Sequence, residues 1–159
     1  MKRILITVMC LWLVLDLNIY AKEAQPEYID YIDGVCETYE VDPYIVQAII
    51  FYESSWCTGA ANGPYCGLMQ VSLGHKTKMK ELGVTDLFNG YQNILIGVSL
   101  LSDYIEANDG DVEKGIDAYA GYRLEPDFYE KGKHTKYSQK VFKLAESLRN
   151  ENEPAAGTG

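Results

Sequence analysis

Apolar residues recur at intervals of three and four through most of this chain, and no long stretch alternates with a period of two. That spacing places them on one face of a helix, so it predicts helices rather than an extended sheet. The stretch 91–107 is the most apolar and is predicted to be the central helix. The predicted helices cover residues 26–40, 43 through Glu53, 76–82, 91–107, 111–120 and 137–149. The fold class that follows is all-α, a compact helical domain.

The two ends of the chain do not share this pattern. Residues 1–21 have a positive start, an apolar run and a terminal Ala21, which is typical of a secretory signal peptide. An uncleaved signal anchor is the alternative. Residues 22–149 form the predicted domain, and residues 150–159 form a predicted disordered tail. The formal net charge of −9 argues against nucleic acid or an anionic membrane as partner.

Three cysteines follow the signal segment, an odd number for an exported chain. Cys57 and Cys66 flank a loop that contains Gly and Pro, so a disulfide between them is the simplest pairing, with Cys36 left over. Three free thiols, or a link to Cys36, are the alternatives, because connectivity cannot be read from sequence. His75 and His134 lack metal-ligand spacing, so neither a metal site nor a cofactor is predicted.

A glutamate falls on the apolar stripe of the second helix. Asp42 and Pro43 are a strong helix start, and Glu53 follows Ile49 by four positions and Ile45 by eight, in the last turn. Burial disfavours a charged carboxylate there, and so does the negative end of the helix dipole. Both effects favour a protonated acid, which general acid catalysis near neutral pH requires. The alternative is a carboxylate that skirts the stripe and stays in water.

Four segments, in order along the chain, carry a family resemblance. They are Glu53-Ser54-Ser55-Trp56, Gly67-Leu68-Met69-Gln70, the helical stretch from Asn93 through Gly97 to Leu101, and Ala118-Tyr119-Ala120-Gly121. Over residues 41–148 the chain resembles the soluble, goose-lysozyme-like lytic transglycosylases. One position departs from the family pattern, which usually has Asn after the Ala-Tyr pair, whereas this chain has Ala120.

The resemblance implies a lysozyme-like fold and cleavage of the β-1,4 bond between N-acetylmuramic acid and N-acetylglucosamine in peptidoglycan. It implies Glu53 as the sole catalytic acid, although ordinary glycosidases use two carboxylates. The N-acetyl group and the C6 hydroxyl of the sugar would supply the rest and leave a 1,6-anhydro end. The residues predicted to bind substrate are Ser54, Met69, Gln70 and Tyr119, and those predicted to support the site are Gly67, Asn93, Cys57 and Cys66. A position in the core is the alternative for Met69 and for Tyr119.

Two other functions stay open at this point. A muramidase on the same fold would need an ordered water and usually a second carboxylate. A glycan-binding or secretion-assembly module that has lost activity is the second, and Ala120 is its support. The predicted location is the periplasm or the cell wall, with peptidoglycan strands as the partner and a secretion or conjugation apparatus as a further candidate.

Overall fold

The computed structural model describes residues 26–122 and 135–152. The helices in this part of the chain are α1 Pro26–Tyr39, α2 Pro43–Ser54, α3 Lys76–Leu82, α4 Gly90–Glu106, α5 Val112–Tyr119 and α6 Lys136–Asn152. They confirm the predicted all-α class. Three short strands lie between α2 and α3, namely β1 Ala61–Asn62, β2 Tyr65–Cys66 and β3 Val71–Ser72. The predicted signal peptide, residues 1–21, lies outside the described residues.

The helix ends are fixed by local hydrogen bonds. The Asp42 carboxylate accepts a hydrogen bond of 2.9 Å from the backbone amide of Tyr44, which caps α2 as predicted. Asn89 caps α4 in the same way, through a bond of 3.1 Å from the amide of Gln92. At the other end of α2, Ser55 turns into the left-handed conformation, with a φ of 49°. The sharp stop at Ser55 sets the position of the last turn of α2.

Two helices share the centre of the core. Residues 45–50 of α2 are buried without interruption, and so are residues 96–101 of α4. The prediction that α4 is a central helix is therefore confirmed, and α2 is a second central helix. Each fully buried isoleucine side chain, such as that of Ile49, stabilises the fold by about 1.5–3 kcal/mol. α2 packs chiefly against α6, while α4 packs against α5 and α1.

The small antiparallel sheet has the order β1-β2-β3 and was not predicted. Its strands have two residues each, which is too short for alternation to be visible in the sequence. Within β2 the side chain of Tyr65 is exposed and that of Cys66 is buried, because successive side chains point to opposite faces. The turn between β1 and β2 contains Gly63, which has a φ of +59°. The sheet therefore presents the Tyr65 face to solvent, next to the end of α2.

Two expectations need correction. α6 continues to Asn152, so residues 150–152 of the predicted disordered tail are helical, and residues 153–159 lie outside the described part. The predicted Cys57–Cys66 disulfide is absent, because Cys36, Cys57 and Cys66 are free in the described part of the chain. Cys57 is exposed, whereas Cys66 points from β2 into the core and is 4% exposed. A disulfide needs two side chains that face each other, and these two face different environments.

Over residues 26–122 and 135–152, no helix has both the length and the apolar character that a membrane crossing requires.

Candidate active site

Glu53 lines a cleft of about 250 Å³ at the end of α2. Its side chain is partly buried, so the protein shields one side of the carboxylate and the cleft opens on the other. The described residues that line the cleft are Glu53, Asn62, Tyr65, Gln70, Tyr119, Ala120 and Gly121. Within this lining Glu53 is the one carboxylate, and the other side chains are amides, tyrosines and small groups. The cleft thus places a single acid among neutral polar groups.

The partner of Glu53 is Tyr137, in the first turn of α6. The Tyr137 hydroxyl donates to Oε1 of Glu53 across 2.5 Å, which is short for a hydrogen bond and typical of a hydroxyl facing a carboxylate. Burial raises the pKa of the Tyr137 phenol, and the nearby Glu53 carboxylate raises it further. Tyr137 therefore keeps its proton and acts as a donor at neutral pH. Lys140 lies above the same ring, 4.8 Å from its centroid.

A buried asparagine holds the loop opposite Glu53. Asn93 is fully buried in α4, and its Nδ2 donates to the carbonyl oxygens of Cys66 and Leu87 at 2.9 and 2.8 Å. Its Oδ1 accepts a bond of 2.7 Å from the amide of Met69. Both the oxygen and the nitrogen of the Asn93 amide are thus hydrogen-bonded, and these bonds compensate the loss of water on burial. Asn93 therefore holds the loop through these three bonds and does not line the cleft.

Gly67 is required by this packing. Its φ is +76°, and a Cβ there would lie 2.2 Å from the Leu87 carbonyl oxygen and 2.3 Å from Nδ2 of Asn93. Any larger residue would therefore clash and also strain the backbone. The glycine of the second motif allows the loop to approach α4 closely, which positions the two residues that follow Leu68.

Gln70, one of the residues predicted to bind substrate, lines the cleft. Its Nε2 donates to the carbonyl oxygens of Gly67, at 2.9 Å, and Ala60, at 3.2 Å. Both partners are acceptors, so they fix which end of the amide is the nitrogen. Since the two N–H groups are used inside the protein, Gln70 has an acceptor, Oε1, to offer a ligand.

Tyr119 forms another wall of the cleft, at the end of α5. Its hydroxyl donates to the backbone carbonyl oxygen of Met69 at 2.7 Å, so its proton does not go to Glu53. Burial raises the pKa of this phenol, with a further contribution from the Glu53 carboxylate. Tyr119 and Gln70 also line a smaller adjoining cavity of about 40 Å³. Tyr119 therefore ties α5 to the loop that carries Gln70.

Ser54 and Met69 lie elsewhere than the substrate-binding prediction placed them. The Ser54 hydroxyl donates to the carbonyl oxygen of Ile50 at 3.1 Å and so bonds to its own helix. The Met69 side chain is fully buried, and its Sδ packs where a Cβ on Gly97 would lie 2.3 Å away. Neither side chain lines the cleft. What Met69 contributes is its backbone, which binds Asn93 and Tyr119.

Two residues that line the cleft, and the partner of Glu53, lie outside the sequence motifs. Asn62 and Tyr65 come from the small sheet, whose strands gave no sequence signal. Tyr137 is the first residue of the predicted helix 137–149, and none of the four motifs includes it. The one hint was a tyrosine, with its polar hydroxyl, at the start of an otherwise aliphatic stripe. Cys57 and Cys66, the predicted neighbours of the site, do not line the cleft, although the Cys66 carbonyl oxygen accepts from Asn93.

The domain is helical, and its cleft places one carboxylate at the end of the buried helix α2. The sequence model of the transglycosylase SLT domain matches residues 30–142, which include all the helices from α2 to α5 and the start of α6. The chain belongs to this transglycosylase SLT domain family, and its helical fold is the lysozyme-like fold of the family.

The described residues contain no group of three or more His, Cys, Asp and Glu side chains arranged to hold a metal ion.

Proposed function

We propose that the protein is a peptidoglycan lytic transglycosylase in which Glu53 is the sole acid and base. The observation that carries the proposal is the composition of the cleft, where Glu53 is the one carboxylate among the described lining residues. Retaining and inverting glycosidases both place a second carboxylate across the scissile bond. A cleft with a single acid fits a reaction in which the substrate supplies its own nucleophile. Membership of the transglycosylase SLT domain family supports the same reaction.

The reaction needs one proton donor and one proton acceptor in succession. Protonated Glu53 donates its proton to the glycosidic oxygen, and the bond between that oxygen and C1 of N-acetylmuramic acid breaks. The carbonyl oxygen of the 2-acetamido group stabilises the cationic centre at C1. The Glu53 carboxylate then takes the proton of the C6 hydroxyl, and O6 bonds to C1 to close the 1,6-anhydro ring. Glu53 ends protonated, as it began, and no water is consumed.

The other cleft residues have defined tasks in this proposal. Tyr137 holds Oε1 of Glu53, which leaves Oε2 as the oxygen proposed to exchange the proton with the substrate. Gln70 offers Oε1 as an acceptor for an N–H or hydroxyl group of the sugar. Asn62 and Tyr65 form the opposite rim, where an amide and an exposed ring suit a sugar face.

Peptidoglycan is therefore the proposed partner, and the periplasm or cell wall the proposed site of action. Residues 1–21, the predicted signal peptide, would direct the chain there. Association with a secretion or conjugation apparatus is a further proposal. Ala120, which lines the cleft where the family usually has Asn, is the feature that would favour an inactive glycan-binding module instead.

Digestion of purified peptidoglycan by the wild type and by Glu53→Gln tests the proposal. The wild type is expected to release muropeptides with 1,6-anhydro ends, one water lighter than reducing ends. Glu53→Gln keeps the shape of the side chain but loses the proton, so it should release none while retaining the helical circular dichroism spectrum. Products with reducing ends would make the protein a muramidase. Glycan binding without products from the wild type would make it a binding module.

A further inference from the structure

We propose that Asp117, acting through Thr135, is a positioning residue that holds Tyr137 in place and thereby orients the carboxylate of Glu53. The inference rests on the proposed function, since it concerns the orientation of the proposed acid. Asp117 lies in α5 and is outside all four sequence motifs.

Asp117 is a buried carboxylate. None of its surface is exposed, although an Asp side chain is almost never fully buried unless it is paired. Its Oδ1 accepts a hydrogen bond of 2.5 Å from the hydroxyl of Thr135, which directly precedes α6. Burying a charge is costly unless hydrogen bonds compensate it, and the bond from Thr135 is one of the contacts that compensate Asp117.

Thr135 caps the helix that carries Tyr137. Its Oγ1 donates to Asp117 and accepts a bond of 3.0 Å from the backbone amide of Ser138, so the hydroxyl is used in both directions. That amide bond is the usual cap of a helix N-terminus, three residues after the capping side chain. Tyr137 lies inside this capped turn, between Thr135 and Ser138. Fixing Thr135 therefore fixes the backbone from which the Tyr137 side chain reaches Glu53.

Charge adds to this geometry. A negative group near the first turn of α6 is favoured by the positive end of the helix dipole, and Asp117 supplies one from a different helix. The same helix α5 ends at Tyr119, whose hydroxyl holds the Met69 carbonyl oxygen on the other side of the cleft. α5 thus connects both the loop of Gln70 and the turn of Tyr137 to one rigid element.

The test is a double-mutant cycle on kcat, measured by release of anhydro-muropeptides from peptidoglycan. Thr135→Val keeps the shape of the side chain and removes the hydroxyl, and it is expected to lower kcat about tenfold with little change in KM. Thr135→Ser, which restores the hydroxyl, is expected to recover most of the activity. In a Tyr137→Phe background, Thr135→Val is expected to cause no further loss, because the contact through which it acts is already gone.

Ser102→Ala is the matched control. It removes a partly buried hydroxyl of α4, with its bond of 3.0 Å to the Tyr39 carbonyl oxygen, and leaves the bonds of Thr135 in place. It is expected to lower the melting temperature without a comparable loss of kcat. If Thr135→Val fails to fold, Asp117→Asn replaces it in the cycle, since it keeps the shape and an acceptor while removing the charge.

An equal loss of kcat for the Thr135 variant in both backgrounds would overturn the inference, because Thr135 would then act by a route other than Tyr137. An unchanged kcat in the single variant would overturn it too. Failure of the proposed function itself gives a different result, since the wild type would then release no anhydro product and the cycle would have no starting value.

Discussion

Replacing Tyr137 by Phe tests the contact on which the proposed site depends most. The change removes one oxygen and leaves the ring, which packs in the first turn of α6 and lies under Lys140. In the described part of the chain the Tyr137 hydroxyl is the hydrogen-bond donor to Glu53, at 2.5 Å. Without the hydroxyl of Tyr137, the carboxyl group of Glu53 can rotate. Both proposed proton transfers, from Glu53 and back to it, require a fixed orientation of that group.

The size of the effect follows from the type of bond. Glu53 becomes charged as it gives up its proton, and a hydrogen bond to a charged group is worth about 1.5–3 kcal/mol. Each 1.4 kcal/mol corresponds to about a factor of ten in rate. The expected loss in kcat is therefore about ten- to a hundredfold. KM should change little, since Tyr137 holds the acid rather than the sugar.

The assay is steady-state release of anhydro-muropeptides, with circular dichroism and thermal unfolding to verify the fold. Tyr91→Phe is the matched control, because Tyr91 is 42% exposed and stacks edge-on against Tyr28 and Tyr31, on α1. It should retain full activity. A folded Tyr137→Phe enzyme with kcat within about twofold of the wild type would refute the reasoning.

Three further outcomes follow from the geometry. Gly67→Ala is expected to destabilise the protein by about 2–5 kcal/mol, as measured by urea unfolding. The new side chain would have to accept a left-handed φ of +76° and a Cβ 2.2 Å from the Leu87 carbonyl oxygen. A loss below about 1 kcal/mol would contradict this packing. The exposed Cys57 should react quickly with a thiol reagent, whereas Cys36, whose pKa is raised to about 12 by burial, should react only on unfolding. If substitution of Cys57 left the fast phase of the native protein unchanged, that result would contradict a free, exposed thiol at Cys57. The free energy of unfolding should fall as the pH rises above about 10, because the folded-state pKa of Tyr137 lies above the ordinary tyrosine value. The unfolded chain then loses that proton first, and stability is lost until the pH reaches the folded-state pKa. Tyr137→Phe should show a shallower fall of stability with pH, and equal slopes would exclude Tyr137 as the source.

The helices were predictable because their information is local. The period of 3.6 residues marks α1, α2 and α4–α6 in the sequence, and Asp42 with Pro43 marks the start of α2 to the residue. Glu53 could be found for the same reason, since its distance from Ile49 along the helix determines its face. The bounds predicted for α3, residues 76–82, are those that the structure shows.

The rest of the site depends on contacts between residues far apart in the chain. Tyr137 and Glu53 are 84 positions apart, and nothing in the local pattern of either residue points to the other. Asp117 could not be singled out for a related reason, because its bond to the hydroxyl of Thr135 joins α5 to a residue 18 positions further along the chain. Met69 fits a core and a cleft equally well by composition, and only the space above Gly97 decides for the core.

The disulfide prediction is wrong because closeness along the chain does not determine the direction of a side chain. Cys57 and Cys66 flank one loop, yet the pleat of β2 turns Cys66 inward and leaves Tyr65 outside. The small sheet that sets this direction has strands too short to be seen in the sequence.

The source of the oxygen at the cleaved end tests the central claim most directly. Peptidoglycan is digested by the wild type in water enriched in heavy oxygen, and the muropeptides are weighed by mass spectrometry, with a hydrolytic muramidase as the positive control for labelling. Because O6 of the sugar attacks C1 in the proposed reaction, the products should carry 1,6-anhydro ends and no heavy oxygen. Labelled reducing ends would contradict the account, since they would show that water is the nucleophile and that Glu53 acts in a hydrolase.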